Sequence, residues 1–209
     1  MSSTKLLILR HGETQWNSSK RIQGCTDIDL NENGKAQALA AAKYIRTLGI
    51  DVIYSSPLNR ALETANIVAG GQYVHVDERL REIPFGSWEG RRFSDLREDS
   101  NFQKFLNGVD GCPFAETGET IKSRSEKNLE TLTDICNKHR GKTILIVSHG
   151  AWIKTSIVGL LGLQPVMYHR FKLSNTGLTT FIYNDRNVFD MTGFNETCHL
   201  CGSGENLYV

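Results

Sequence analysis

The fold is decided by the stretch Lys5-Leu6-Leu7-Ile8-Leu9-Arg10-His11-Gly12, a short apolar run that ends directly in polar residues. A second run, Thr143-Ile144-Leu145-Ile146-Val147, ends in the same way in Ser148-His149-Gly150. Hydrophobicity is continuous in both runs, which is typical of strands buried on both faces of a parallel sheet. Val52-Ile53-Tyr54 is a third run of this kind, and 178–183 and 188–191 are later strand candidates.

Segments with helical spacing separate these strands. Apolar residues between Ala38 and Leu48 recur at three- and four-residue intervals, with Asn31 or Asn33 as the cap and Gly49 as the stop. Ser56-Pro57 predicts the start of a second helix, with serine as the cap and proline at the first helical position. Two further helices are predicted over 121–136 and 151–161. This alternation predicts an α/β fold, a three-layer α/β/α sandwich with a mostly parallel central sheet.

Residues 84–118 depart from the alternation, because they are rich in glycine, phenylalanine and charge and hold one helical candidate over 94–106. We interpret this segment as an insertion over the C-terminal edge of the strands, where such segments commonly select the substrate. The sequence then predicts a single domain over residues 1–201. Residues 202–209 resemble a linker followed by a tag remnant and are set apart as a tail.

Composition excludes several classes of function. The 209 residues hold 24 Lys+Arg and 23 Asp+Glu, and the resulting net charge of +1 argues against nucleic-acid binding through overall charge. No apolar run approaches the roughly 18 to 20 residues of a membrane span, and no secretory segment is recognisable near Met1. The five cysteines are scattered and odd in number, unlike a disulfide framework. We therefore expect a cytoplasmic protein without nucleic-acid or membrane partners.

Only Cys198-His199-Leu200-Cys201 has the spacing of metal ligands. A structural zinc site needs a second pair of ligands, and none is found nearby in the sequence. This pattern favours a solvated tail, and no metal site is predicted.

Charged and polar residues follow three of the predicted strands. In open parallel sheets, ligands bind outside the carboxyl ends of the strands. Arg10 and His11 end the first strand, His149 ends another, and Arg60 lies in the first turn of the helix after the third. A lone histidine at a strand end is more often structural than catalytic. Two imidazoles and two guanidiniums at one sheet edge instead favour a pocket for a dianion such as phosphate.

The motifs around these residues resemble the histidine phosphatase superfamily, the phosphoglycerate-mutase-like family. The similarity extends in order across nearly the whole chain. It is carried by six segments: 9–14 with Trp16-Asn17, Arg21-Ile22-Gln23-Gly24 with 27–30 and Gly34, 55–61 with Thr64-Ala65, Glu82 with Phe85-Gly86 and Trp88-Glu89-Gly90, Gly118-Glu119-Thr120, and Val147-Ser148-His149-Gly150. Two departures, Cys25 and the segment 115–120, concern substrate choice and leave the phosphate-handling motifs intact.

The resemblance implies a division of roles among the phosphate-binding residues. His11 attacks phosphorus and forms a phosphohistidine intermediate, which splits one difficult transfer into two easier steps. Arg10 and Arg60 hold the nonbridging oxygens with forked donors. His149 completes this clamp as a cation, and Asn17 adds a neutral donor. No metal and no cofactor are then required.

The same resemblance assigns the remaining site residues. Glu82 matches the general acid that protonates the departing oxygen; composition alone favours a surface carboxylate paired with Arg79 or Arg81. Gln23 and Gly24 are expected to border the pocket. Gly150 is expected to let the backbone approach the phosphate, and its ordinary alternative is a turn.

Two activities of the family compete for this chain. A phosphoric monoester hydrolase of the histidine acid type is favoured, because the related mutases have a longer basic insertion that this chain lacks. Phosphoglycerate mutase is the alternative, and Arg91, Arg92 and Arg97 could then bind a second anion, although a solvated basic face is favoured for them. A non-catalytic module that binds a phosphorylated ligand would not need His11 or Glu82. The expected partner is a small phosphorylated metabolite, and family precedent allows a homodimer.

Overall fold

The computed structural model describes residues 3–109 and 111–201, and it is built around one six-stranded sheet. The strands are β1 Thr4–Arg10, β2 Val52–Ser55, β3 Val74–Val76, β4 Thr143–Ser148, β5 Leu178–Tyr183 and β6 Phe189–Glu196, in the order β3-β2-β4-β1-β5-β6. The first four are parallel, whereas β5 runs antiparallel to β1 and β6 antiparallel to β5. The predicted mostly parallel sheet is confirmed. The predicted tail, 202–209, lies outside the described residues.

Helices cover both faces of the sheet, as the sandwich prediction requires. The α-helices are α1 Gln15–Ser18, α2 Glu32–Ile45, α3 Asn59–Ala69, α4 Ser100–Leu106, α5 Ile121–Lys138 and α6 Gly150–Leu160. Leu7 and Leu9 of β1 pack against α2 and α3, whereas Leu6 and Ile8 pack against α5 and α6. Because successive side chains of a strand point to opposite faces, a continuous apolar run fills both layers. No helix in the described part of the chain is both long and apolar enough to cross a membrane.

Strand register brings the polar ends of the central strands together. Arg10 of β1 lies opposite Ser148 of β4, so the next residues, His11 and His149, leave the sheet side by side. Ser55 of β2 lies opposite Val147 on the other side of β4. The expected meeting of these strand ends at one sheet edge is therefore observed.

The start of α3 differs from the prediction. The helix begins at Asn59, and Leu58 in extended conformation precedes it, so Ser56 is not its cap. The Ser56 hydroxyl instead shares a 2.7 Å hydrogen bond with His149 Nε2. The predicted cap of α2 is observed, since the Asn31 side chain accepts a hydrogen bond from the Gly34 N–H at 2.7 Å. Gly49, the predicted stop, adopts φ 67° beyond the helix end.

The segment 84–118 forms α4 and short 3-10 turns around an aromatic cluster. Its rings belong to Phe85, Trp88, Phe102, Phe105 and Phe114, with centroids 5.1 to 6.5 Å apart. Ala151 and Val158 of α6 belong to the same buried cluster. The segment thus places an apolar wall beside the start of α6, at the edge where the polar strand ends meet.

The expectation of a solvated tail at 198–201 holds for Cys198 and Cys201, which are exposed, and is wrong for His199 and Leu200. Cys198–Leu200 forms a 3-10 turn near α2, where the His199 ring stacks on Tyr44 at 6.4 Å. Leu200 is buried, and Thr176 Oγ1 hydrogen-bonds His199 Nε2 at 3.1 Å. An apolar side chain and a polar partner therefore hold the turn, which spacing alone did not predict. No group of three or more potential metal ligands occurs among residues 3–109 and 111–201.

Candidate active site

A cavity of about 1020 Å³ opens at the carboxyl end of the parallel strands. Its lining includes all the site residues predicted from the sequence except His149, namely Arg10, His11, Asn17, Gln23, Gly24, Arg60, Glu82 and Gly150. His149 is fully buried and lies beside the wall, with its ring centroid 5.3 Å from that of His11. Residues from five separate segments of the chain thus meet in one cavity.

The backbone fixes the tautomer of His11. Its Nδ1 lies 2.7 Å from the carbonyl oxygen of Gly12, and a carbonyl can only accept, so Nδ1 carries the proton. Nε2 then holds the free electron pair. Burial lowers the pKa of His11 well below the ordinary value of 6.5, and the charges of Arg60 and Arg10 lower it further. The ring is therefore neutral at pH 7, which is the form that can attack phosphorus.

The resemblance implies a cationic His149, whereas the protein groups around the ring favour its neutral form. Burial lowers the pKa of His149 well below 6.5, and Arg60 and His11 add to this shift. Its Nε2 bonds Ser56 Oγ, while its Nδ1 is buried with no hydrogen-bond partner in the described chain. A phosphate dianion beside the ring would raise that pKa again, because an opposite charge favours the protonated form. The cationic state thus depends on the ligand.

Backbone carbonyls orient the two guanidiniums. Arg60 is fully buried and donates from Nη2 to the carbonyl oxygen of Gly24 at 2.7 Å and from Nη1 to that of Thr26 at 2.9 Å. Arg10 donates from Nη1 to the carbonyl oxygen of Leu173 at 2.6 Å. Burial lowers the pKa of Arg10 to about 10, so it remains charged at pH 7. The Nε–H of each arginine is buried and lacks a partner among the described residues, which leaves donors for an anion.

Glu82 is not the paired surface carboxylate that composition alone favours. It is 7% exposed and caps the start of α6, where Oε1 accepts from the Trp152 N–H at 2.8 Å and Oε2 from the Ala151 N–H at 3.0 Å. Arg79 pairs with two aspartates instead, and Arg81 pairs with Glu78. Glu82 is thus held rigidly against the cavity, within the same wall as Gly150.

Amide side chains border the cavity beside His11. Asn17 Oδ1 accepts from the Thr14 N–H at 3.1 Å and from Asn175 Nδ2 at 3.3 Å, while its Nδ2 has no partner among the described residues. Gln23 Oε1 accepts from Thr14 Oγ1 at 3.0 Å. Asn175 Nδ2 also donates to the His11 carbonyl at 3.0 Å. The accepting oxygens are therefore occupied, and the donor group of Asn17 is free for an anion.

Two glycines permit close packing behind the nucleophile and beside Arg60. A Cβ on Gly12 would lie 2.4 Å from the carbonyl oxygen of Gly34. Gly24 adopts φ 56°, and a Cβ there would lie 2.0 Å from Glu89 Oε1. Gly150 is different, because a Cβ there would meet Arg10 Nε at 3.4 Å, an ordinary contact. The neighbouring backbone therefore requires glycine at 12, and the positive φ favours glycine at 24, whereas neither condition applies at 150.

Several residues of the site were not predicted from the sequence, and Ser56, Lys154 and Leu200 are among them. Ser56, read as a helix cap, is the partner of His149. Lys154 on α6 and Leu200 near the C-terminal end both line the cavity. The spacing of Lys154 from Gly150, four residues along a predicted helix, could have indicated a shared face. Nothing in the sequence pattern indicated Leu200.

The buried neutral imidazoles predict acid sensitivity of the fold. In the unfolded chain histidine titrates near 6.5, whereas burial lowers the pKa of His11 and His149 in the folded chain. Below about pH 6.5 the unfolded state therefore binds more protons, and the free energy of unfolding should fall as the pH is lowered from 7.5 to 5. Urea unfolding at several pH values measures this. His149→Asn should flatten the curve, whereas a pH-independent free energy of unfolding in the wild type would contradict neutral buried rings.

Comparison with known proteins agrees with the resemblance that the sequence motifs indicate. The family model described as histidine phosphatase superfamily (branch 1) matches residues 6–197. A crystal structure of phosphoserine phosphatase from Entamoeba histolytica in complex with 3-phosphoglyceric acid is 55% identical, with a TM-score of 0.90 over 94% of this chain and 99% of that one. A mutant of the same enzyme in complex with phosphoserine is 54% identical with the same TM-score.

Curated relatives divide between two activities. A probable phosphoglycerate mutase from Citrobacter koseri is 36% identical over 186 residues, 87% of this chain and 86% of the relative. Phosphoserine phosphatase 1 from Hydrogenobacter thermophilus is 31% identical over 201 residues, 94% of each chain. Similarity at this level supports the superfamily. It does not distinguish a phosphatase, which transfers the phosphoryl group to water, from a mutase, which transfers it to a second acceptor.

Proposed function

Because the chain belongs to the histidine phosphatase superfamily, we propose that it is a phosphomonoester hydrolase that acts through a phosphohistidine intermediate on a small phosphorylated metabolite. The observation that carries the proposal is the state of His11. Its Nδ1–H is held by the Gly12 carbonyl, and its Nε2 is left unprotonated in a cavity that Arg10 and Arg60 also line. A nucleophile and the charges that receive its phosphoryl group are thus present together.

In the first step, His11 Nε2 attacks phosphorus, the N–P bond forms, and the bond from phosphorus to the ester oxygen breaks. Arg10 and Arg60 bind the nonbridging oxygens and stabilise their charge, and the free amide donor of Asn17 adds a neutral hydrogen bond. His149 gains a proton as the dianion binds beside it. The positive charge comes from side chains, so the reaction is proposed to proceed without a metal ion or cofactor.

Glu82 acts as the general acid in the first step and as the general base in the second. In its protonated form it donates to the departing ester oxygen, which leaves as an alcohol. The resulting carboxylate then takes a proton from the water whose oxygen attacks phosphorus. The N–P bond breaks, inorganic phosphate is released and free His11 is restored. Its backbone contacts with α6 hold the carboxyl in place through both transfers.

The Entamoeba histolytica relatives suggest phosphoserine and 3-phosphoglycerate as substrates to test first. The second candidate activity is a phosphoglycerate mutase, which the 36% identical relative favours. Arg91 gives little support to a second phosphate site, because its guanidinium already has partners. Its Nη1 lies 4.0 Å from Asp99 Oδ2, and its Nη2 donates to the Asp95 carbonyl oxygen. Arg92 borders the cavity and is exposed. The cytoplasmic location and the homodimer stay predictions.

One assay tests hydrolysis, metal independence and the acceptor. The protein is incubated in excess chelator with p-nitrophenyl phosphate, phosphoserine and 3-phosphoglycerate, and free phosphate and isomerised phosphoglycerate are both measured. We expect phosphate release that the chelator does not reduce and little isomerised product. Isomerisation faster than phosphate release would establish the mutase instead. Ligand binding without turnover of any substrate would point to a binding module.

A further inference from the structure

Lys154 is a cation in the catalytic cavity that the proposed mechanism does not use. It follows Gly150 by four residues on α6, so the two lie on the same face of the helix, and both line the cavity. The rise of an α-helix separates them by about 6 Å along the axis. Lys154 therefore lies one helical turn beyond the phosphate-binding end, in the direction of the aromatic wall.

The ammonium group of Lys154 lacks a carboxylate partner. Among the residues that the structure describes, it forms no ion pair, whereas Lys127 on the neighbouring helix pairs with Glu119 at 3.0 Å. Its Nζ lies 5.1 Å from the centre of the Tyr168 ring, and that ring packs against Phe105 at 5.8 Å. Water solvates an ammonium group among aromatic rings only weakly. A charge without a counter-ion there is unfavourable, and a bound anionic ligand would offset that cost.

The same partial burial acts on the charge of the ammonium group. Burial lowers the pKa of Lys154 to about 8, the charge of Arg10 acts in the same direction, and Glu82 opposes it. The group is still mainly protonated at pH 7. His169, beyond Tyr168, has its pKa lowered by burial and by the charge of Lys154, so it adds no second positive charge. Beside the Tyr168 ring, the cavity thus offers the half-buried positive charge of Lys154.

We propose that Lys154 binds the carboxylate of the substrate, and that the substrate class is therefore phosphate monoesters of small hydroxy or amino acids. The inference rests on the proposed function, because it places the phosphate at His11. A single ammonium matches a carboxylate monoanion, whereas the phosphate end combines two guanidiniums with imidazole. A separation of one helical turn fits an acid whose carboxyl carbon lies three bonds from the ester oxygen. Lys154 is then a specificity-determining residue and takes no part in phosphoryl transfer.

Phosphoserine and phosphoethanolamine form a matched pair of probes, since they differ only in the carboxylate. In the full chain, Lys154→Met keeps most of the side-chain length and packing and removes the charge. We expect this variant to raise KM for phosphoserine about ten-fold or more with a smaller change in kcat. For phosphoethanolamine and p-nitrophenyl phosphate, kcat/KM should stay within about two-fold. Lys154→Arg should retain much of the preference for phosphoserine, because it keeps the charge.

Lys172 supplies the matched control, because it also borders the cavity but its side chain is exposed. Lys172→Met should leave KM for phosphoserine nearly unchanged. The proposal is overturned if Lys154→Met affects both probes equally, if it affects neither, or if Lys172→Met alone raises KM for phosphoserine. Wild-type protein that hydrolyses both probes equally well would refute the carboxylate site and leave the hydrolase intact. Wild-type protein that releases no phosphate from p-nitrophenyl phosphate or either probe would instead refute the proposed function.

Discussion

Replacing His11 with alanine is expected to reduce phosphatase turnover by about 10⁴-fold or more, because the variant lacks the atom that forms the intermediate. His149, the nearest other imidazole, is held to Ser56 at 2.7 Å and does not line the cavity, so it cannot replace the nucleophile. The measurement is kcat with p-nitrophenyl phosphate and with phosphoserine. His75→Ala is the matched control, since His75 is an exposed histidine on β3 and should keep full activity.

The same variant tests the covalent intermediate. Wild-type protein that is quenched during turnover should carry phosphate on His11 that is stable in alkali and labile in acid, as expected for a bond from phosphorus to nitrogen. Peptide mass spectrometry locates the label. His11→Ala should carry none. Substantial turnover in the variant, or labelling of a different residue in the wild type, would rule out His11 as the nucleophile.

Replacing Glu82 with glutamine is expected to produce the second largest effect, and one that depends on the leaving group. An alkoxide leaves poorly without a proton, so kcat/KM for phosphoserine should fall about 10²- to 10⁴-fold. The p-nitrophenolate ion leaves without that help, so hydrolysis of p-nitrophenyl phosphate should fall far less. A comparison of kcat/KM for the two substrates measures the effect. Equal losses for both would count against a leaving-group acid.

Glu82→Gln also has a structural cost that must be separated from its chemistry. Glutamine offers one accepting oxygen, so the N–H of Ala151 or that of Trp152 loses its partner at the start of α6. Leaving such a buried donor unsatisfied is expected to lower the free energy of unfolding by about 1–3 kcal/mol. Urea unfolding of the variant checks this. Glu78→Gln is the control, because Glu78 is an exposed partner of Arg81 and should affect neither activity nor stability.

Much of the fold could be predicted from local patterns. Continuous apolar runs indicated β1, β2 and β4 because a strand buried on both faces needs apolar residues in succession. Asn31 and Gly49 marked the ends of the helical segment at α2 because caps satisfy or terminate the backbone hydrogen bonds locally. The start of α3 was misplaced because the Ser56 hydroxyl serves His149, which lies 93 residues further along the chain. Long-range contacts of this kind leave no periodicity in the sequence.

Most of the candidate site could also be predicted, but for a different reason. Ligands gather at the carboxyl ends of parallel strands, so residues that end two strands are expected in one place even when they are distant in sequence. Arg10, His11 and His149 follow this rule directly. Glu82 does not, and it was assigned through motif resemblance alone. Lys154 was missed because its lack of an ion-pair partner is visible only after the surrounding side chains are in place.

The sequence by itself determined most of the strands and helices but not β3 or α1. It also determined the residue types that handle phosphate and the edge of the sheet where most of them meet. These follow from backbone geometry and hydrophobic burial, which act on neighbours along the chain. Only the tertiary structure decided the neutral state of His11 and His149 and the capping of α6 by Glu82. It also decided the position of the Lys154 ammonium, which lies 5.1 Å from the centre of the Tyr168 ring and forms no ion pair within residues 3–109 and 111–201. Charge states and hydrogen-bond partners depend on solvation and on groups that folding brings together. Neither the solvation nor these contacts can be inferred from the order of residues along the chain.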